Sequence, residues 1–162
     1  MLTRLSALGD ERVPELIEAL ESIHMGDADE VRRRRFLVDC SWPDAKSKAK
    51  LYDRFLNDDS LPERWVQNGA SAFFQSRQSA LVAPYLRPAI EKLDWIKANR
   101  KIFFLADWIN AVVGSMTRLE DAEWVQAYVN RPSTQPDIAK KVLVPLDHAL
   151  NRLRVLQSQK KD

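Results

Sequence analysis

The feature that most constrains the fold is the run of residues 41–108, where helix start signals follow one another and no strand pattern interrupts them. Ser41-Trp-Pro-Asp44 and Ser60-Leu-Pro-Glu63 each combine a capping residue, a first-turn proline and an acid three residues on. Apolar residues then recur at helical spacing, which predicts stacked amphipathic helices. They are Ala45, Ala49, Tyr52, Phe55 and Leu56 after the first signal, and Trp65, Val66, Ala70, Phe73 and Phe74 after the second.

Helix signals continue on both sides of this run. An apolar stripe follows Asp10, a capping box is expected at Thr117-Arg-Leu-Glu120, and Ser133 or Thr134 ahead of Pro136 should start the last helix. Between them, the spacing of Ile102, Leu105, Ala106, Ile109, Val112 and Val113 predicts a central apolar helix. Prolines 84, 88 and 145 should kink or divide their helices.

These elements predict one all-α domain over residues 1–162, with residues 157–162 frayed. Paired helices with short connections favour a HEAT/ARM-like α-α superhelix of about eight or nine helices. A compact helical bundle is the structural alternative.

Charge and composition argue against several classes of function. With 25 basic and 23 acidic residues the net charge is +2, which predicts no binding to nucleic acid or to a membrane surface. No apolar run approaches the ~18 residues of a membrane span. A single cysteine, Cys40, excludes an internal disulfide. We therefore expect a cytoplasmic protein without a signal peptide.

Several segments resemble, in the same order, those of one peptidase family. Pro43-Asp-Ala-Lys46 with Leu51-Tyr-Asp-Arg-Phe55 is similar to its P-x-x-K … W-x-x-L helix. Asp58-Asp-Ser-Leu61 resembles the acidic turn that follows, and Phe73-Phe-Gln-Ser-Arg-Gln78 with Leu81 and Pro84-Tyr85 is a further match. Two more are Arg100-Lys-Ile-Phe-Phe-Leu105 with Trp108, and Pro136 to Leu143 with Asp147 and Leu150 to Arg154. From about Asp27 to Ser158 the chain resembles the C-terminal helical domain of the zinc aminopeptidases related to aminopeptidase N and puromycin-sensitive aminopeptidase. Ala72 stands where the family has glycine before the aromatic residue.

The zinc chemistry of that family requires residues that this sequence lacks. Its catalytic domain carries His-Glu-x-x-His and a Gly-x-Met-Glu-Asn loop, and neither occurs here. The resemblance therefore implies a noncatalytic domain that forms the chamber wall over the active site and contacts peptide substrate. Its partners would be peptide and the catalytic domain, in cis or in trans. Zinc would belong to the parent enzyme, which cleaves N-terminal residues from peptides.

A different class of function fits the helices equally well, namely a free-standing HEAT-like scaffold for protein–protein interaction. If the chain is instead a piece of a peptidase, its former domain interface should be exposed. We then expect an apolar patch larger than the ~300–600 Å² typical of monomers, or a homodimer that covers it.

The isolated metal-ligand types have ordinary structural interpretations. His24 and His148 lack a neighbouring ligand at metal spacing, and a zinc site needs three or four ligands. We therefore predict no catalytic, cofactor or metal site in this chain. His148 should lie at the surface, and Cys40 should behave as a small buried hydrophobe.

Two basic clusters have more than one interpretation. The run Arg32, Arg33, Arg34 and Arg35 is either a solvated face paired with Asp29 and Glu30, or it contacts the carboxylate of a peptide. Lys97, Arg100 and Lys101 either cap the end of a helix or form a small anion site.

The five tryptophans, Trp42, Trp65, Trp95, Trp108 and Trp124, are expected to pack between helices. Trp42 stands apart, because at a helix start it can either staple the chain or remain exposed.

Overall fold

The computed structural model describes residues 2–23 and 28–159, except for the side chain of Ile102. These residues form ten α-helices, a short 3-10 helix at Ser76–Gln78 and no strand, so the all-α prediction is confirmed. The HEAT-like arrangement stays a prediction. The α-helices are α1 (Leu2–Ala7), α2 (Val13–Ile23), α3 (Ala28–Ser41), α4 (Ala45–Asn57), α5 (Glu63–Phe73), α6 (Ser79–Glu91), α7 (Leu93–Asn99), α8 (Ile102–Gly114), α9 (Leu119–Val129) and α10 (Pro136–Ser158).

The predicted number of eight or nine helices is too low for the described part of the chain. Helix α1 was not anticipated, because its six residues carry no capping signal. The predicted segment from Leu81 to Ala98 is divided at Lys92, not at a proline. Pro84 and Pro88 lie four residues apart on the exposed face of α6, where water can bond the carbonyls that they leave without a donor. Pro145 does not divide α10.

Several helices begin a few residues later than their capping signals predict. Ser41 still belongs to α3 and its hydroxyl donates to Val38 O, while Asp44 caps α4 by accepting from Ser47 N at 2.6 Å. Ser60 bonds Asp58 instead of the first turn of α5. The last two helices have Arg118 and Gln135 at their N-caps, in place of the predicted Thr117 and Ser133 or Thr134. For Ser41, Ser60 and Thr134 a competing hydrogen bond explains the difference, the last donating its hydroxyl to Tyr128 O.

The contacts group the chain into two compact units, residues 1–73 and 74–162, which are described separately. The single domain over residues 1–162 stays a prediction. In the first unit α3 packs against α1, α4 and α5. Its core is aromatic, with Phe55 edge-on to Phe36 and Phe73 at centroid distances of 6.2 and 5.4 Å. The buried face of α4 consists of Lys48, Leu51 and Phe55, so the predicted stripe that included Ala45 and Ala49 is rotated from the true one.

In the second unit α8 packs against α6, α7 and α10, and α9 packs against α6 and α10. Leu105, Ile109, Val112 and Val113 are buried, which confirms α8 as the central apolar helix of this unit. Trp108 is buried and stacks on Phe104, and its indole Nε1 donates to Ala89 O at 3.1 Å.

No helix within the described residues is both long enough and apolar enough to cross a bilayer. The exposed large apolar side chains are Leu8, Ile23, Trp95, Phe103, Leu143, Val144, Val155 and Leu156. Whether they form one patch or a dimer contact stays a prediction.

The close approach of α3 and α5 depends on Gly69. A Cβ at this position would lie 2.7 Å from Phe36 Cε1 and 3.1 Å from Cys40 Sγ, both in the core. We expect Gly69→Ala to lower the free energy of unfolding by about 1–3 kcal/mol in urea titrations, because the packed rings must shift.

The matched control is Gly114→Ala at the end of α8, where an added Cβ meets nothing within 4 Å. This variant should be neutral or slightly stabilising, because alanine favours the helix. Equal unfolding midpoints for the two variants would contradict the proposed close packing at Gly69.

Candidate functional site

A groove of about 590 Å³ lies in the first unit between α2, α3 and α4, and is called here the α2–α4 groove. Buried Val13, Val38 and Leu51 give it an apolar floor, and Trp42 and Ile17 are half-buried beside them. The remaining lining residues are Pro14, Glu18, Arg35, Asp39, Ser47, Lys50 and Arg54. An apolar floor with a few polar groups is the usual composition of a binding site.

A short corner between α3 and α4 positions Trp42. The backbone N–H of Trp42 donates to Asp39 O, and Asp44 starts α4 two residues later. Gly9 ends α1 with a positive φ of 69°, in a Schellman-type turn where Asp10 N donates to Leu5 O and Gly9 N to Ser6 O. A Cβ on Gly9 would lie 3.3 Å from Pro43 Cγ, so the turn packs against this corner. Trp42 therefore lines the groove as a half-buried residue.

The polar side of the groove holds three cations, Arg35, Lys50 and Arg54, and two carboxylates, Glu18 and Asp39. Desolvation beside the groove walls raises the pKa of Asp39, although Arg54, Arg35 and Lys50 act in the opposite direction. Arg54 also pairs with Asp58 at 3.0 Å. The formal charges of the lining residues sum to one positive excess, and Arg35 and Arg54 also pair with Glu21 and Asp58 outside the lining.

The structure places the four predicted arginines in different surroundings. Arg32 pairs with Asp29 at the surface, and Arg33 and Arg34 share Glu30 at 2.8 and 3.0 Å. These hydrogen bonds lower the pKa of Glu30 to about 2. Arg34 lines a second, apolar pocket with Leu2, Thr3, Leu16, Leu20, Leu37 and Val38.

Arg35 is the member of the run that reaches the α2–α4 groove. Its Nε and Nη2 donate to the two carboxylate oxygens of Glu21 on α2, each at 2.5 Å. This pairing lowers the pKa of Glu21 below its ordinary value. The structure therefore gives each arginine a carboxylate within the chain, and the contact with a peptide carboxylate stays a prediction.

Behind the groove, the fully buried side chain of Lys48 joins three helices. Its Nζ donates to Cys40 O at 2.7 Å and to Phe73 O at 3.1 Å, near the C-terminal ends of α3 and α5. The ammonium also lies 4.6 Å from the centroid of the Phe73 ring. A cation is favourable at helix C-termini, because their last carbonyls lack partners within the helix. Lys48 thus holds α4, one wall of the groove, against α3 and α5.

The residue types that could bind a metal, here cysteine and histidine, do not form a cluster within the described residues. Cys40 is buried as predicted, and desolvation raises the pKa of its thiol. His148 is exposed on α10, as predicted, and His24 lies outside the described residues. Within residues 2–23 and 28–159, no group of three or more His, Cys, Asp or Glu side chains could hold a metal ion.

No protein-family model matches the chain, and no curated protein matches its sequence.

Sequence reasoning missed most of the groove, because its residues come from three helices whose rotation the pattern alone does not give. Trp42 carried the one useful signal, an aromatic residue at a helix start. Lys48 could also have been noticed, since it lies four residues before Tyr52 on a face that is otherwise apolar.

The burial of Lys48 should be measurable as a pH-dependent stability. Burial lowers the pKa of Lys48 from 10.5 to about 8, so between these values the unfolded state binds more protons than the folded state. The free energy of unfolding contributed by this group therefore rises with pH. We expect the free energy of unfolding of the wild type, minus that of Lys48→Met, to increase by about 2 kcal/mol from about pH 7.5 to 10 in urea titrations.

The comparison with Lys48→Met removes other titrations in this range. The raised pKa values of Cys40 and Tyr128 act in the opposite direction, but both groups are present in the two proteins. A stability difference that is constant with pH would contradict the low pKa of Lys48.

Proposed function

We propose that this chain is a noncatalytic helical domain that binds a peptide segment of a partner in the α2–α4 groove. The observation that supports the proposal is the groove itself, whose lining combines Trp42 and an apolar floor with charged side chains from the same three helices. Half-buried tryptophan next to a pocket is typical of the residues that dominate binding energy. We infer that the bound segment is apolar with one or two carboxylates, which could pair with the cations Arg35, Lys50 and Arg54 of the lining.

As the setting for this binding, we propose the wall of a zinc aminopeptidase chamber. The support is the ordered set of family-like segments between Pro43 and Arg154, together with the all-α fold. In this proposal the parent enzyme provides zinc and catalysis, and the helical domain contacts the distal part of the peptide. A free-standing scaffold is the second candidate, and it is favoured by the same groove, which would bind a segment of another protein.

Peptide binding can be tested with labelled decapeptides that carry two leucines and two glutamates in a Gly/Ser background, acetylated and amidated. We expect the fluorescence anisotropy of this peptide to rise to saturation as the protein is added. The version with lysine at both glutamate positions should bind more weakly. Trp42→Ala should weaken binding about tenfold, because it removes the aromatic surface.

Trp95→Ala is the matched control, since Trp95 is partly exposed in the second unit and does not line the groove. It should leave the affinity unchanged. Equal affinities for the wild type and Trp42→Ala would exclude the groove as the peptide site.

The same titration decides the predicted carboxylate contact of the arginine run. A decapeptide with a free C-terminus should bind more tightly than its amidated form, and Arg35→Ala should remove this preference. Glu21→Gln should increase the preference, because it releases Arg35 from its ion pair. Unchanged affinity in each of the four variants Arg32→Ala, Arg33→Ala, Arg34→Ala and Arg35→Ala would refute the contact.

The noncatalytic assignment has its own test. We expect the purified chain to bind no stoichiometric zinc and to hydrolyse no aminoacyl-naphthylamide, because it lacks His-Glu-x-x-His. Stoichiometric zinc with hydrolysis would contradict the assignment in both settings. A His-Glu-x-x-His motif in the same coding sequence would favour the peptidase wall over the scaffold.

A further inference from the structure

The second unit contains a basic pocket that no part of the proposed function uses. It has a volume of about 320 Å³ and is lined by Lys97, Arg100, Lys101, Leu105, Asp137 and Lys141. The first three residues surround the junction of α7 and α8, and Asp137 and Lys141 come from the beginning of α10. The pocket is therefore lined by two groups of residues that lie about forty positions apart in the sequence.

The charges of the pocket are strongly unbalanced. Four cationic side chains line it with a single carboxylate, Asp137, which leaves a formal excess of three positive charges. Lys97 is directed at α10, where its Nζ contacts Asp137 Oδ2 at 2.7 Å and also bonds Gln135 Oε1. Like charges gathered in a concave site repel one another, and a bound anion would relieve that repulsion.

The guanidinium of Arg100 is held by two aromatic rings. It lies 5.5 Å from the centroid of Trp95 and 5.7 Å from that of Phe104. Stacking restricts the orientation of this planar group, so little side-chain freedom remains to be lost on binding. Arginine presents its donors as a fork that matches two oxygens of a phosphate.

We propose that the basic pocket binds a phosphate dianion, either free phosphate or a phosphate monoester. A dianion compensates the excess of three charges better than a single carboxylate does, and its oxygens can accept from several cations at once. The partial positive charge at the first turn of α8, which begins beside Lys101, acts in the same direction. All lining residues belong to residues 74–162, so the proposal is independent of the α2–α4 groove.

The experiment measures binding of inorganic phosphate to the whole chain by calorimetry at low ionic strength, near pH 7.5. Lys141→Gln should weaken binding about tenfold, because it removes one charged donor. Asp137→Asn should tighten binding several-fold, because it removes the competing carboxylate and releases Lys97. Lys140→Gln, at an exposed neighbouring position outside the lining, should change the affinity by less than about twofold.

Two further measurements distinguish a phosphate monoester from free phosphate as the ligand. A phosphoserine peptide that binds while its unphosphorylated twin does not supports a monoester ligand, and binding of phosphate alone supports the free anion. The proposal is overturned if the wild type shows no saturable phosphate binding, or if acetate binds as tightly as phosphate. Equal losses in Lys140→Gln and Lys141→Gln would also overturn it. Circular dichroism and unfolding midpoints of each variant exclude misfolding as the cause.

Discussion

The ammonium of Lys48 is the interaction on which the first unit depends. It lies near the C-terminal ends of α3 and α5, where it satisfies Cys40 O and Phe73 O, and its own helix supplies one wall of the groove. Removing a charge from water is costly, and burial accordingly lowers the pKa of Lys48 to about 8. In return, the relative positions of α3, α4 and α5 are fixed, because the Lys48 ammonium on α4 bonds carbonyls at the ends of both α3 and α5. Lys48 thereby joins α4, which lines the α2–α4 groove, to the C-terminal ends of α3 and α5.

A related device stabilises the second unit. Arg152 on α10 donates to Met116 O at 2.8 Å and to Gly114 O at 3.2 Å, where α8 ends. In both units a cation from one helix therefore satisfies carbonyls at the end of another. The chain has only four glycines, so few of its helices can end in a left-handed glycine cap. Charged side chains from neighbouring helices perform that role at these ends.

The two basic clusters differ in how their charge is compensated. The arginine run has acids three or four residues away for three of its members, and Glu21 on α2 for the fourth. The basic pocket instead gathers Lys97, Arg100 and Lys101 with Lys141 from another helix, and Asp137 is the carboxylate among its lining residues. Local pairing is visible in a sequence, but convergence of like charges across helices is not. The shorter and less conspicuous cluster is therefore the stronger candidate for an anion site.

Periodicity and caps determined that this chain is helical and that α8 is an apolar central helix, and the residue type alone predicted the burial of Cys40. They depend on neighbours within one or two turns, which the sequence contains. Two competing local bonds, Ser41 Oγ to Val38 O and Ser47 N to Asp44, decided where α3 ends and α4 begins. Tertiary structure alone decided that this corner packs against the turn at Gly9. It also decided that Lys48 is interior and that Trp42 lines a groove. Those outcomes depend on helix rotation and on partners tens of residues away, such as Phe73 for Lys48 and the turn at Gly9 for Pro43.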